Sequence, residues 1–505
     1  MKTPFSPRIK VGFIIGLCMV GVIAISQLLL IHNSIRLDES QSLWQTSHST
    51  HGTLQVVAKD VHVPLYHMIL HVWQQYVGTS VADARYLSLI FFLLTIPVVY
   101  LLAREILSRR WALFATVLFS FSPFMNWYGN EARMYTMLVL TATLSQLFFT
   151  RIIKGKSGWI GYTLTTLVGI YSHYFFWFTL ATQAIYYVLN RKHFPRHSFK
   201  KLIAVAVLAL VAISPWIWYF RSLGSGSSTR PHLPAPSTVD LFNSFSQFAF
   251  GFQNDRINTI LLSLWPLLVI VALLSVKLRQ RFKPETAYLL AAGLLPIALA
   301  FTLSLVITPF FVSRYLIACL APLTILTIWF ASHYRKPLAT MAVILLSSIT
   351  IGGSIIQYRS FDTPVKENYK EVAAYISERA TAQDQVVLSS PFTLYPFEYY
   401  YNGPAETLTL PSWDGRATSG IPAFDAQTLP EQVKKQSQNH RYAYLVLSYD
   451  QGYLEQIRQY YAFNYALASQ RTFSNGLTLY VYRVGYNEVH PLSDLPAFDK
   501  VQPTR

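Results

Sequence analysis

The sequence predicts a polytopic α-helical membrane protein with a C-terminal soluble α/β domain, and three observations carry that reading. Of its 505 residues, 52% are hydrophobic and only 13% charged, well below the roughly one-quarter charged residues of a soluble protein. Apolar runs of bilayer-crossing length recur from near the N-terminus to Ile356. The basic residues sit between those runs, as topology determinants do, so the net charge of +17 does not mark a nucleic-acid surface. Cys18 and Cys319 lie inside apolar runs and read as small core residues without a disulfide framework.

The hydrophobic pattern places about eleven spans, at 11–31, 85–103, 111–127, 134–151, 157–172, 174–189, 201–220, 257–276, 286–307, 311–331 and 338–357. The first is too long for a cleavable signal and lacks a small-residue cleavage site, so it reads as a signal anchor. With the N-terminus cytoplasmic, Lys/Arg crowd the inner loops, as at Arg104, Arg109 and Arg110, or Arg191, Lys192, Arg196, Lys200 and Lys201. The outer loops carry few, among them Arg36, Lys59, Arg133 and Arg314, which fixes the orientation by the positive-inside rule. A transmembrane domain therefore spans 1–358, with a long outer loop at 32–84 and a Gly/Ser/Pro-rich flexible outer loop at 222–256. The working face is the extracytoplasmic one.

Within the first outer loop, the stretch from Pro64 to Trp73 is apolar at helical spacing but too short to span. It predicts an interfacial helix, with Tyr66, Trp73 and Tyr76 suited to the headgroup zone. The tail, 359–505, alternates helical and strand patterns and predicts an extracytoplasmic α/β domain. Strands are expected from Gln385, Thr407, Tyr442 and Leu477, and helices over Lys366–Ala380 and near 428–438 and 451–462. No Gly-rich phosphate loop occurs in it.

Five groups of residues can carry chemistry, each with a bland reading beside it. Asp38-Glu39 follows the first span; such a pair either ends a helix in water or works as a base. Asp60 and His62 alternate, so an extended segment points both to one side. That suits a divalent ion or a donor phosphate, although two ligands fall short of the three or four a metal site takes from protein. A loop held by local hydrogen bonds explains them equally well. Glu131, Arg133 and Tyr135 share an outer turn; Arg133 is shaped to grip a phosphate through two parallel hydrogen bonds, or pairs only with lipid headgroups. His173 sits between spans five and six, and Arg314-Tyr315 starts span ten, where a cation near hydrocarbon needs an anionic partner. One face thus offers acids, arginines and many aromatic rings. A lipid-linked phosphosugar entering from the bilayer fits that inventory, with a carboxylate deprotonating an acceptor hydroxyl and arginines holding the departing phosphate.

In order and sidedness, Asp38-Glu39, Asp60-x-His62-x-Pro64-Leu65-Tyr66, Glu131-Ala-Arg133-Met-Tyr135, His173-Tyr174 and Arg314-Tyr315 resemble the bacterial GT-C class of membrane glycosyltransferases. The resemblance covers roughly 10–330. The group is the protein O-mannosyltransferase-related family, which includes aminoarabinose transferases and rhizobial lipopolysaccharide glycosyltransferases. It implies a GT-C-like fold and a site on the outer face of the bacterial inner membrane. It also implies a polyprenyl-phosphate sugar donor, inversion at the anomeric carbon, and a lipid, glycan or protein acceptor. Asp38 becomes the base with Glu39 in support, and Arg133 and Arg314 become donor-phosphate ligands. Asp60, His62, Tyr66, Glu131, Tyr135, His173 and Tyr315 line the substrate site, and Asp60, His62 and His173 are the ligands if a metal binds. One departure is His62-Val63-Pro64, where many relatives have two successive prolines. The competing class is a flippase for polyprenyl-linked glycans, which usually carries midplane ionisable groups and repeated halves; neither is evident here.

Overall fold

A computed structural model describes residues 7–29, 33–60, 62–223, 235–253, 260, 282–359, 367–413 and 421–485. The expected span 257–276, most of its inner loop, and part of the loop 222–256 lie outside the described residues. The chain divides into two compact units. One holds the described residues before 33, 46–223 and 235–359; the other holds 33–45 with 367–485. Residues 33–45 of the first outer loop therefore belong with the C-terminal segment.

The first unit is helical. Among the described residues, six helices are long and apolar enough to cross a membrane: Val81–Ile106, Tyr135–Ile153, Ser198–Ser222, Pro284–Val306, Ser313–Ala331 and Lys336–Gln357. The opening helix, Pro7–Leu29, is apolar from Val11 to Gln27. Three expected spans differ. The 111–127 run breaks into Arg109–Ser120 and Pro123–Gly129, because Ser122 caps a new helix whose first residue is proline. The 157–172 and 174–189 runs form Trp159–Ser172 and Phe176–Leu189, 14 residues each. At 1.5 Å per residue each rises about 21 Å, short of a hydrocarbon core of roughly 30 Å. Among the described residues, these six long helices and shorter apolar ones stand where the eleven spans are expected.

The first outer loop is more helical than its polarity implied. Leu37–Thr46, Thr50–Lys59 and Leu65–Tyr76 are all helices, and the last matches the expected short apolar one. Ser49 caps the second, accepting from the Gly52 N–H. A full capping box at Ser80 and Asp83 then starts Val81–Ile106.

The second unit carries a five-stranded sheet, made of β1 (Gln385–Ser389), β2 (Glu406–Thr409), β3 (Tyr442–Ser448), β4 (Ala466–Ser474) and β5 (Leu477–Arg483). Their order is β2-β1-β3-β5-β4, with β2, β1 and β3 parallel and β5 and β4 antiparallel additions. β1 and β3 are buried along their whole length, as central strands covered on both faces must be. Their side chains alternate between two cores. Val386, Leu388, Tyr444 and Val446 pack with Tyr369, Val372 and Ile376 of the helix Tyr369–Arg379. Val387, Leu445 and Leu447 pack with Leu429, Val433, Ile457 and Tyr461 from the helices Leu429–Ser437 and Leu454–Asn464. β4 was not anticipated, because an edge strand with a partly exposed, irregular burial pattern lacks apolar alternation.

Candidate functional site

In the first unit, the expected residues from four separate stretches converge. Asp60 ends the helix Thr50–Lys59, and Pro64 immediately precedes Leu65–Tyr76. The short link between them leaves His62 beside Asp60, with Nε2 3.7 Å from Oδ2. Arg133 lies in the turn between Pro123–Gly129 and Tyr135–Ile153. The turn is tight: Gly129 lies against Phe92, where a Cβ would fall 2.7 Å from the ring Cδ1. Asn130 pins it from within, its Nδ2 donating to Ser26 Oγ at 3.0 Å and to the Asn126 carbonyl at 2.9 Å. Ser88 holds the next residues, donating to the Arg133 carbonyl at 3.1 Å while sharing a 3.2 Å hydrogen bond with the Tyr66 hydroxyl. The Tyr66 of the first outer loop and the turn at 131–135 are therefore locked through one serine.

Arg133 is 4% exposed, and its Nη2 donates to His62 Nε2 at 2.9 Å. A ring that accepts at Nε2 is neutral and keeps its proton on Nδ1. Glu131 is buried in the same turn, its carbonyl accepting from the Arg133 N–H at 2.7 Å. His173 follows the helix Trp159–Ser172 and accepts the Phe175 N–H on Nδ1 at 3.0 Å. Its pKa is driven down to about 3, first by burial and then by the charges of Arg133 and of Arg314. The charges of both arginines therefore act on this one imidazole. Arg314 also lies over the Tyr315 ring, 5.4 Å from its centroid.

Aromatic rings floor this cluster. Tyr135 lies 6.1 Å from His173 and 6.4 Å from Tyr315. Tyr315 lies 5.5 Å from His173 and 4.9 Å from Phe175, and Tyr128 adds a ring 5.0 Å from Tyr135. Tilted rings of this kind give a sugar or an isoprenoid chain apolar faces beside a charged clamp.

The donor set suits an anion better than a cation. Among the described residues, no three His, Cys, Asp or Glu side chains gather as metal ligands. The Arg133 guanidinium stands against His62 Nε2, and His173 spends Nδ1 on the backbone. The expected Asp60, His62 and His173 cation set therefore does not assemble.

Asp38 and Glu39 fall in the other unit, in different surroundings. They open the helix Leu37–Thr46. Glu39 is fully buried, and its Oε2 accepts the Arg36 N–H at 3.0 Å, as an acid in the first turn does when it caps a helix. Asp38 is half-buried. Ile35 N donates to the Tyr400 hydroxyl at 2.9 Å, and the Trp44 and Tyr395 rings lie 5.0 Å apart, so the acid pair is anchored on the C-terminal segment.

Sequence reasoning assigned no role to one residue of the first cluster, nor to a buried arginine on the neighbouring helix. His67 is fully buried and stacks on His62 at 5.5 Å; both its ring nitrogens lack a hydrogen-bond partner among the described residues. Burial first, then His62 and Arg133, hold its pKa well below the usual histidine value. Arg85 is buried one turn before Ser88 on Val81–Ile106. Its sequence signal was an arginine at the start of an apolar run.

Residues 61–219 match the family model of dolichyl-phosphate-mannose-protein mannosyltransferases. No curated protein matches the chain. Among solved structures, ArnT from Cupriavidus metallidurans bound to undecaprenyl phosphate is similar over 94% of this chain and 98% of its own, with 13% identity and a TM-score of 0.58. The apo form of the same protein covers 92% and 97%, with 12% identity and a TM-score of 0.56. The oligosaccharyltransferase AglB from Archaeoglobus fulgidus, in complex with an inhibitory peptide and a dolichol-phosphate, covers 97% of this chain and 75% of its own, with 12% identity and a TM-score of 0.52. At such identities these likenesses show a shared fold. By that fold and by the match over 61–219, the chain resembles the GT-C class of multi-pass membrane glycosyltransferases and its protein O-mannosyltransferase-related family, as its motifs implied.

Proposed function

We propose that this chain transfers a sugar from a polyprenyl-phosphate-linked donor to an acceptor hydroxyl, with inversion, on the extracytoplasmic face of a bacterial inner membrane. The observation that carries the reading is that the charges of Arg133 and Arg314 both act on His173, whose ring lies beside those of Tyr135 and Tyr315, with Arg314 over Tyr315. Two fixed cations beside aromatic faces suit a phosphate attached to an isoprenoid, and undecaprenyl phosphate and dolichol-phosphate are the lipids named for the ArnT and AglB structures.

In the reaction, Asp38 accepts the acceptor's hydroxyl proton as that oxygen bonds to the anomeric carbon. The bond from the anomeric carbon to the phosphate oxygen breaks, and its electron pair leaves with the lipid phosphate. Arg133 and Arg314 stabilise that growing negative charge, a task for preorganised donors. Asp60 and His62 fix Arg133, and Glu131, Tyr66, Tyr135, His173 and Tyr315 shape the donor site. A flippase would need no base, and the similar folds reported above do not favour it.

Binding tests the donor half directly. Undecaprenyl phosphate is expected to raise the melting temperature of the purified protein in detergent, and the Arg133→Ala/Arg314→Ala double variant is expected to lose that shift. An equal shift in the double variant would show that the lipid chain alone is recognised.

A further inference from the structure

Two neighbouring residues in the first turn of the helix Leu65–Tyr76 reach Arg133 from its two ends. At the main chain, Ser88 Oγ donates to the Arg133 carbonyl at 3.1 Å and so accepts, at 3.2 Å, from the Tyr66 hydroxyl. At the side chain, Arg133 Nη2 donates to His62 Nε2 at 2.9 Å. The His62 ring in turn stacks on that of His67, with centroids 5.5 Å apart and planes 25° from parallel. Tyr66 closes the circuit, its ring edge-on to His67 at 5.8 Å and 87°. Both distances fall in the range of favourable aromatic pairs.

His67 itself is fully buried, and neither ring nitrogen has a hydrogen-bond partner among the described residues. Leaving buried polar nitrogens unpaired costs stability, so what His67 contributes here is its ring face. The place of that face gives it a use. The accepting lone pair of an imidazole lies in the ring plane, so the tilt of His62 decides where its hydrogen bond holds the Arg133 guanidinium. A flat ring packed against His62 restricts that tilt. A donor aimed at a phosphate is effective only as far as it is held in place beforehand.

We infer that His67 is a positioning residue for the lipid phosphate: its ring holds the plane of His62, and through His62 it aims the Arg133 guanidinium. This rests on the reading of Arg133 as a donor-phosphate ligand. Affinity for the lipid phosphate then depends on a side chain that is fully buried and acts through another residue. The face of the ring carries the role, and its nitrogens do not.

The test is the affinity of the full-length protein in detergent for undecaprenyl phosphate. His67→Leu fills the space without a flat face and is expected to weaken binding about five- to ten-fold, the scale of one aromatic pair. His67→Phe restores the face without the nitrogens and is expected to bind as wild type does. In an Arg133→Ala background, His67→Leu is expected to have no further effect, because residues that act as one unit are not additive. Three results overturn the inference: wild-type affinity in His67→Leu, a Phe variant as weak as the Leu variant, or a Leu effect that persists unchanged in the Arg133→Ala background. If Arg133→Ala alone leaves affinity intact, the donor-phosphate reading fails instead. The melting temperatures of the ligand-free wild type, both single variants and the double variant then decide whether His67 holds Arg133, and additive losses would show that it does not.

Discussion

Replacing Asp38 with asparagine is expected to lower sugar transfer by about 10²–10⁴-fold, the usual contribution of a positioned general base. The amide is nearly isosteric and cannot take a proton at neutral pH. Three local hydrogen bonds that hold the helix use other atoms. Glu39 Oε2 accepts the Arg36 N–H, Ser40 Oγ donates to the Leu37 carbonyl at 2.7 Å, and Ser42 Oγ donates to the Asp38 carbonyl at 3.1 Å. Expression, monodispersity and helical content should therefore match wild type, and initial rates at matched protein concentration are the measurement. Glu39→Gln provides the contrast. It weakens a buried helix cap, so its effect should show in thermal stability as well as in rate. A Glu39 variant of wild-type stability and no activity would move the base from Asp38 to its neighbour.

Arg314→Ala is expected to raise the donor KM and cut kcat by about 10²-fold, the scale of removing one preorganised donor from a developing charge. The acceptor KM should change little. Arg314 starts the segment Ser313–Ala331, lies over Tyr315 and acts on His173 together with Arg133. It is half-buried, whereas Arg133 is enclosed and bonded to His62. Losing Arg314 should therefore spare the scaffold that Arg133 helps to build. Steady-state kinetics with each substrate varied separately checks this, and equal losses for donor and acceptor would assign Arg314 a structural role.

Much of this cluster was legible because its chemistry sits in short, local patterns. Glu131, Arg133 and Tyr135 share one turn, and the positive-inside pattern put that turn on the same side as Asp60, His62, His173 and Arg314. What sequence could not supply was depth. Nothing in the spacing of Asp38 and Glu39 shows that one is half-buried and the other enclosed; that follows from how Ile35 and Trp44 meet Tyr400 and Tyr395, over 350 residues away. The helices Trp159–Ser172 and Phe176–Leu189 came out shorter than a typical span, and apolar composition alone reports burial in protein and in lipid alike. In the tail, β1 and β3 were legible as dense apolar runs, while β4 was hidden by its exposed face.

The most direct test is turnover by the purified, full-length protein offered a panel of polyprenyl-phosphate sugars, followed as release of the free lipid phosphate. The predicted result is release with at least one donor, coupled to a glycosylated acceptor with inverted anomeric configuration and lost in Asp38→Asn. No turnover with any donor, together with movement of a lipid-linked glycan across proteoliposomes, would contradict the transferase reading and identify a flippase.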